Sequence, residues 1–154
     1  MSARPVAAER ALFVSDDLAD SIGTLDDLAG LVGRHGRLYV RWSEGPADDQ
    51  EGSVDTESGL ALPGLSVNPL HAESWWTRPF EDWLARQVCQ YRELSEKNPD
   101  RFAWALSGTE IGRGPDCEPL LREVIPIARL EERLLQEADA RYRARFRAGR
   151  GPED

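Results

Sequence analysis

FAWALSG (102–108), GRGP (112–115) and EPLLREVIPIARL (118–130) decide how this chain folds. The first and last are apolar runs rich in aromatic and β-branched residues, and Gly and Pro between them mark a turn. Two extended segments joined by a tight turn make a hairpin, with Pro126 expected to interrupt its second arm because proline lacks the N–H a ladder needs. The turn also delivers Asp116 and Glu118, two carboxylates two residues apart, to the start of that arm. Alternate residues on a strand share a side, so both acids point the same way.

Working outward, RLYVRW (37–42) reads as another strand, with Leu38, Val40 and Trp42 on one face and Tyr39 and Arg41 on the other. GLALPGLSVNPL (59–70) is broken by Gly and Pro and leaves a short extended piece around Leu65–Val67. Residues 79–94 carry Phe80, Trp83, Leu84, Val88 and Tyr91 at helical spacing, with Pro79 suited to a first turn. TLDDLAGLV predicts a short helix capped by Thr24 and stopped by Gly33 and Gly36. A last helix over 131–148 starts with glutamates and ends with arginines, as the helix dipole favours. The order is α-β-loop-β-α-β-β-α: a single α+β domain over 11–148 with three helices and a mostly antiparallel sheet. Residues 1–10 and 149–154 are expected to be flexible ends. The polar, acidic stretch 43–58 is expected to be a solvated loop, and the arginine-rich RYRARFRAGR a solvated helix end.

Composition narrows the function classes. At 154 residues the chain suits one domain, and 40% hydrophobic content with five tryptophans argues against disorder. A net charge of −9 disfavours nucleic acid or an anionic membrane as the main partner, while leaving room for a small anion held by a few arginines. No signal-peptide or membrane-spanning apolar stretch is present, and Cys89 and Cys117 are too few for a disulfide framework, so a cytoplasmic location is expected. His35, His71 and the two cysteines lack ligand spacing, so no metal site is expected. Acidic neighbours make Cys117 a poor nucleophile, better read as a small, partly buried residue. Trp75 and Trp76, being adjacent, cannot both face one way, which leaves one free to line a cleft and stack on a planar ring.

Arg41, Ser66 and the Asp116/Glu118 pair follow one another in an order that resembles the Arg–Ser–Glu class of ADP-ribosyltransferases. That resemblance implies a split sheet and NAD as substrate. It makes Arg41 in LYVRWS the arginine that anchors the dinucleotide, Ser66 in GLSVN the serine of the nicotinamide pocket, Glu118 the catalytic glutamate and Asp116 the acceptor-orienting residue. Trp75 or Trp76 would stack on nicotinamide or adenine. Two departures stand out: Val67 and Asn68 replace the family's Thr-Ser, and Asp116 replaces its Glu or Gln. The fuller run LYVRWSEGP, LPGLSVNPL, WW, GRGPDCEPL resembles an uncharacterised family of small actinobacterial proteins, which implies no activity. The residues themselves leave a second reading open: a non-catalytic module that binds a protein partner, with Arg41 and Glu118 as a structural ion pair.

Overall fold

The computed structural model describes residues 11–146 apart from 16, 19, 55, 56, 91 and 93–96. In chain order its elements are β1 (Asp20–Ile22), α1 (Leu25–His35), β2 (Tyr39–Ser43), β3 (Leu65–Ser66), β4 (Asn68–Pro69), α2 (Phe80–Cys89), β5 (Phe102–Arg113), β6 (Pro119–Leu130) and α3 (Glu132–Phe146). The strands join in one mixed, mostly antiparallel sheet in the order β1-β6-β5-β2-β4, with β3 also paired to β6. An α+β domain with three helices is what the sequence pattern called for. The short parallel strand β1 was not legible, and the flexible ends expected at 1–10 and 149–154 lie outside the described residues.

Each helix forms for local reasons. Thr24 caps α1, its Oγ1 accepting from the Asp27 N–H at 3.1 Å, and Gly36 closes it with φ of 77°. Leu25, Leu28, Leu31 and Val32 then lie on its buried face. In α2, Trp83, Leu84, Ala85 and Val88 face the sheet. Pro79 stands at the N-cap, just before the helix. Two indole N–H groups tie this layer to the backbone: Trp83 Nε1 donates to the Leu70 carbonyl at 3.1 Å and Trp42 Nε1 to that of Val88 at 2.9 Å.

The C-terminal arginines are not simply solvated. Arg141 and Arg145 on α3 donate to Asp82 Oδ1 at 2.7 and 3.2 Å, and Asp82 on α2 is buried. A carboxylate in that position needs such partners, and they fix how α3 lies against α2.

The sheet carries two cores. Val40, Trp42, Ala103, Ala105 and Leu130 pack on the helices. Tyr39, Leu65, Val67, Trp104, Leu106, Leu121 and Val124 form the second cluster, as the alternation of β2 requires. The segment 65–69 crosses that side: Leu65 and Ser66 pair with Leu121 and Leu120 of β6, whereas Asn68 and Pro69 pair with Val40 and Tyr39 of β2. Gly64 permits the close crossing, since a Cβ there would lie 2.8 Å from the Leu121 carbonyl oxygen.

Pro126 does not end β6. Ala105 pairs with Ala128 and Leu106 with Pro126, so Ile127 is an extra residue and the missing N–H falls at a bulge. Two further register shifts follow along the hairpin, and bulges of this kind bend and twist a strand pair.

Tyr39 illustrates the second core. Its hydroxyl donates to Glu110 Oε2 at 2.6 Å from an otherwise buried ring. Burial, followed by that hydrogen bond, pushes its pKa up to about 12. Because an unfolded tyrosine ionises near pH 10, this residue contributes stability that is intact below about pH 10. That stability is lost as pH rises through about 12. The tyrosinate absorbance of the wild type minus that of Tyr39→Phe is expected to show a midpoint near 12, which Glu110→Gln moves part of the way back to 10. A Tyr39 midpoint at the ordinary value would mean that the ring is solvated.

Candidate functional site

The 65–69 crossing and the curled hairpin leave a cleft of about 600 Å³ beside β2. Its walls include Arg41, Ser66, Asn68, Arg101, Asp116 and Glu118. Ser53, Val54, Glu57 and Leu62 of the connection between β2 and β3 also line it. Four residues singled out from sequence, Arg41, Ser66, Asp116 and Glu118, are therefore brought together. Sites of this volume are typical for small-molecule ligands.

Arg41 projects from β2 on the side of Tyr39. Its Nε and Nη2 donate to Asp49 Oδ2 and Oδ1 at 2.7 and 3.1 Å, and Nη1 donates to the Ser66 carbonyl at 2.8 Å. The pair is nearly dry, with side-chain exposures of 18% and 9%. Asp49 is buttressed in turn: Ser43 Oγ donates to its Oδ2 at 2.6 Å, and Trp104 Nε1 donates to that same Ser43 oxygen at 3.0 Å. A guanidinium has five N–H donors, so three bonds leave Arg41 two for a ligand while Asp49 balances its charge.

This corrects two expectations. The ion pair anticipated between Arg41 and Glu118 does not form; the partner of Arg41 is Asp49. Nor is the acidic stretch 43–58 simply solvated: Asp48–Glu51 make a 3-10 turn, and Asp49 and Ser53 are buried. Residues 55 and 56 of that stretch lie outside the described residues. Sequence periodicity could not single out Asp49 among so many acids. The signal, visible only in retrospect, is a strand arginine that needs a counter-charge nearby.

Glu118 sits just before β6, at the mouth of the hairpin turn. Its Oε2 accepts from Ser66 Oγ at 2.8 Å and its Oε1 from the Asp116 backbone N–H at 2.9 Å. The turn is tight: the Gly114 N–H donates to the Glu118 carbonyl at 2.8 Å, and Cys117 adopts φ of 64°. Cys117 is exposed, where a partly buried residue was expected, because this left-handed turn leaves its side chain outside both cores. Cys89 does pack, and burial raises its pKa to about 11, so it is no thiolate near neutrality.

Trp75 and Trp76 are not among the residues brought to the cleft. They stack edge-on with Trp83, and Trp76 also meets Phe146 of α3, so the helical layer claims them. Trp75 remains 61% exposed there. Arg101, which sequence reasoning did not single out, does line the cleft.

The carboxylate of Glu118 lies directly over Gly114, where an added methyl group would overlap it. The obstructing atoms are the tip of a flexible side chain, and Gly114 has no positive φ, so alanine displaces the carboxylate without breaking the turn. Gly114→Ala is expected to keep the wild-type melting temperature within about 2 °C, since changes away from the core rarely exceed about 0.5 kcal/mol. A crystal structure of the variant should show the Ser66–Glu118 bond broken. An unchanged Glu118 position would mean that the glycine does not hold it.

With this geometry in hand, the chain can be set beside known proteins. No curated protein and no solved structure matches it significantly. A family model does match, over residues 15–152, which takes in every residue of the cleft: the chain belongs to the family of unknown function DUF6098.

Proposed function

We propose that this cleft binds a dinucleotide, NAD, and acts at its nicotinamide–ribose bond, transferring ADP-ribose or hydrolysing NAD. The observation that carries the reading is the clamped carboxylate of Glu118, fixed by Ser66 Oγ and the Asp116 N–H at the wall of an open cleft that also holds Arg41. Breaking the C1′–N bond sends the bonding electrons to nicotinamide and leaves an oxocarbenium-like ribose. A carboxylate already oriented beside C1′ stabilises that charge without reorganising. Water or an acceptor hydroxyl then forms the new C1′–O bond and loses a proton, for which the Asp116 carboxylate on the same wall is the nearby base. With water as acceptor the products are ADP-ribose, nicotinamide and a proton. Arg41, through its bond to the Ser66 carbonyl, holds the serine that holds Glu118.

One observation favours a second reading, a non-catalytic module that binds a protein partner: the charge of Arg41 is already matched by Asp49. Turnover separates the two. Incubated with NAD, the wild type is expected to release nicotinamide, and Glu118→Gln, which keeps the shape and the bond from the Asp116 N–H while its amide now donates to Ser66 Oγ, should slow release about 100-fold or more. Ser66→Ala should slow it about 10-fold with little change in NAD affinity, because the serine orients the glutamate. Folded wild type that neither binds nor cleaves NAD would decide for the module.

A further inference from the structure

The two arginines of the cleft differ in what surrounds them. Arg41 is neutralised by a bidentate, nearly dry pair with Asp49. Arg101, directly before β5, is half-buried at the cleft wall, and its Nη1 makes a long hydrogen bond of 3.4 Å to the Trp42 carbonyl. Among the described residues it makes no close ion pair: neighbouring Glu44 feels its charge, but is exposed and accepts its hydrogen bond from Asn98 Nδ2 at 2.8 Å. Unlike Arg41, Arg101 meets acidic charge only at longer range, from Glu44, and among the described residues no carboxylate accepts a hydrogen bond from it.

The acids of the cleft are placed differently. Asp116 and Glu118 come from the β5–β6 turn, at the far end of β5 from Arg101. The bulged hairpin curls so that both ends of β5 face the same space. One part of the cleft is thus acidic, and another carries a guanidinium with no carboxylate hydrogen-bonded to it among the described residues, whose parallel N–H donors suit a phosphate.

We infer that Arg101 is the anion subsite of the cleft, holding a phosphate of the ligand, and that Arg41 is a positioning residue rather than the phosphate binder. This rests on the dinucleotide reading for the identity of the ligand, but the subsite is defined by phosphate chemistry alone. The cationic nicotinamide–ribose end then falls at Glu118 and Asp116, and the diphosphate at Arg101, so ligand polarity follows cleft polarity.

Calorimetry of the full chain with NAD and with ADP, for wild type, Arg101→Gln and Arg101→Lys, tests this. Arg101→Gln is expected to weaken binding of both ligands about 10- to 100-fold, the usual worth of a charge-assisted hydrogen-bonding partner. Arg101→Lys, which keeps the charge but not the fork, should fall between. Circular dichroism melts should coincide, since the side chain is half-exposed and its bond to the Trp42 carbonyl is long. Wild-type affinity for NAD in Arg101→Gln would overturn the subsite and leave the dinucleotide reading standing. ADP binding that depends on Arg101, without NAD binding, would support the subsite and overturn that reading. If the wild type binds neither ligand at millimolar concentration, both fall.

Discussion

The bidentate pair between Arg41 and Asp49 is the constraint on which the rest of the site depends. A guanidinium placed beside a tryptophan and under a crossing segment is costly to desolvate unless its charge is matched. Asp49 matches it, and to do so the chain after β2 must fold back into a 3-10 turn. The remaining Arg41 contact reaches the Ser66 carbonyl, which pins the 65–69 segment where it passes between β6 and β2. Ser66 N–H, in turn, donates to Ser53 Oγ at 2.9 Å, so the connection and the crossing brace one another.

From that brace the geometry reaches the carboxylate. Ser66 presents its hydroxyl to Glu118 because its backbone is held on both sides. Glu118 meets it because the hairpin turn is compact at Gly114 and left-handed at Cys117. Neither β5 nor β6 alone would place the acid there. The bulges let one hairpin serve both as the centre of the sheet and as a wall of the cleft, and Pro126 helps, by removing a donor at the Ile127 bulge. This arrangement is preorganisation in the sense that matters for charge-stabilising chemistry: the hydrogen bonds exist before any ligand arrives.

How much of this the sequence disclosed follows from the range of each interaction. Thr24 with Gly36, and the spacing of Trp83, Leu84 and Val88, are local signals, and they placed α1 and α2. The hairpin was legible for the same reason, since its turn residues lie between its arms. Three residues, β1, left too little pattern to read, and the strand exists through its parallel pairing with distant β6. In the cleft, Arg41, Ser66, Asp116 and Glu118 could be named because their order resembles a known arrangement. Asp49 and Arg101 could not, since only the folded chain shows which acid faces Arg41 and which other arginine lines the cleft. The tryptophan pair misled for a related reason: an aromatic suited to stacking on a ligand is equally suited to stacking on Trp83 and Phe146. Membership of DUF6098 groups this chain with relatives without assigning any of them a reaction, so the chemistry has to come from the cleft. Among the described residues no helix is long and apolar enough to cross a membrane.

The central claim is that Arg41 and Asp49 act as one unit that organises the cleft, and a double-mutant cycle measures this most directly. Urea unfolding of wild type, Arg41→Met, Asp49→Asn and the double variant gives the coupling energy between the two sites. A coupling of about 2 kcal/mol is predicted, with each single variant leaving the other charge stranded and the double variant recovering part of the loss. Additive effects, agreeing within about 0.5 kcal/mol, would contradict the account.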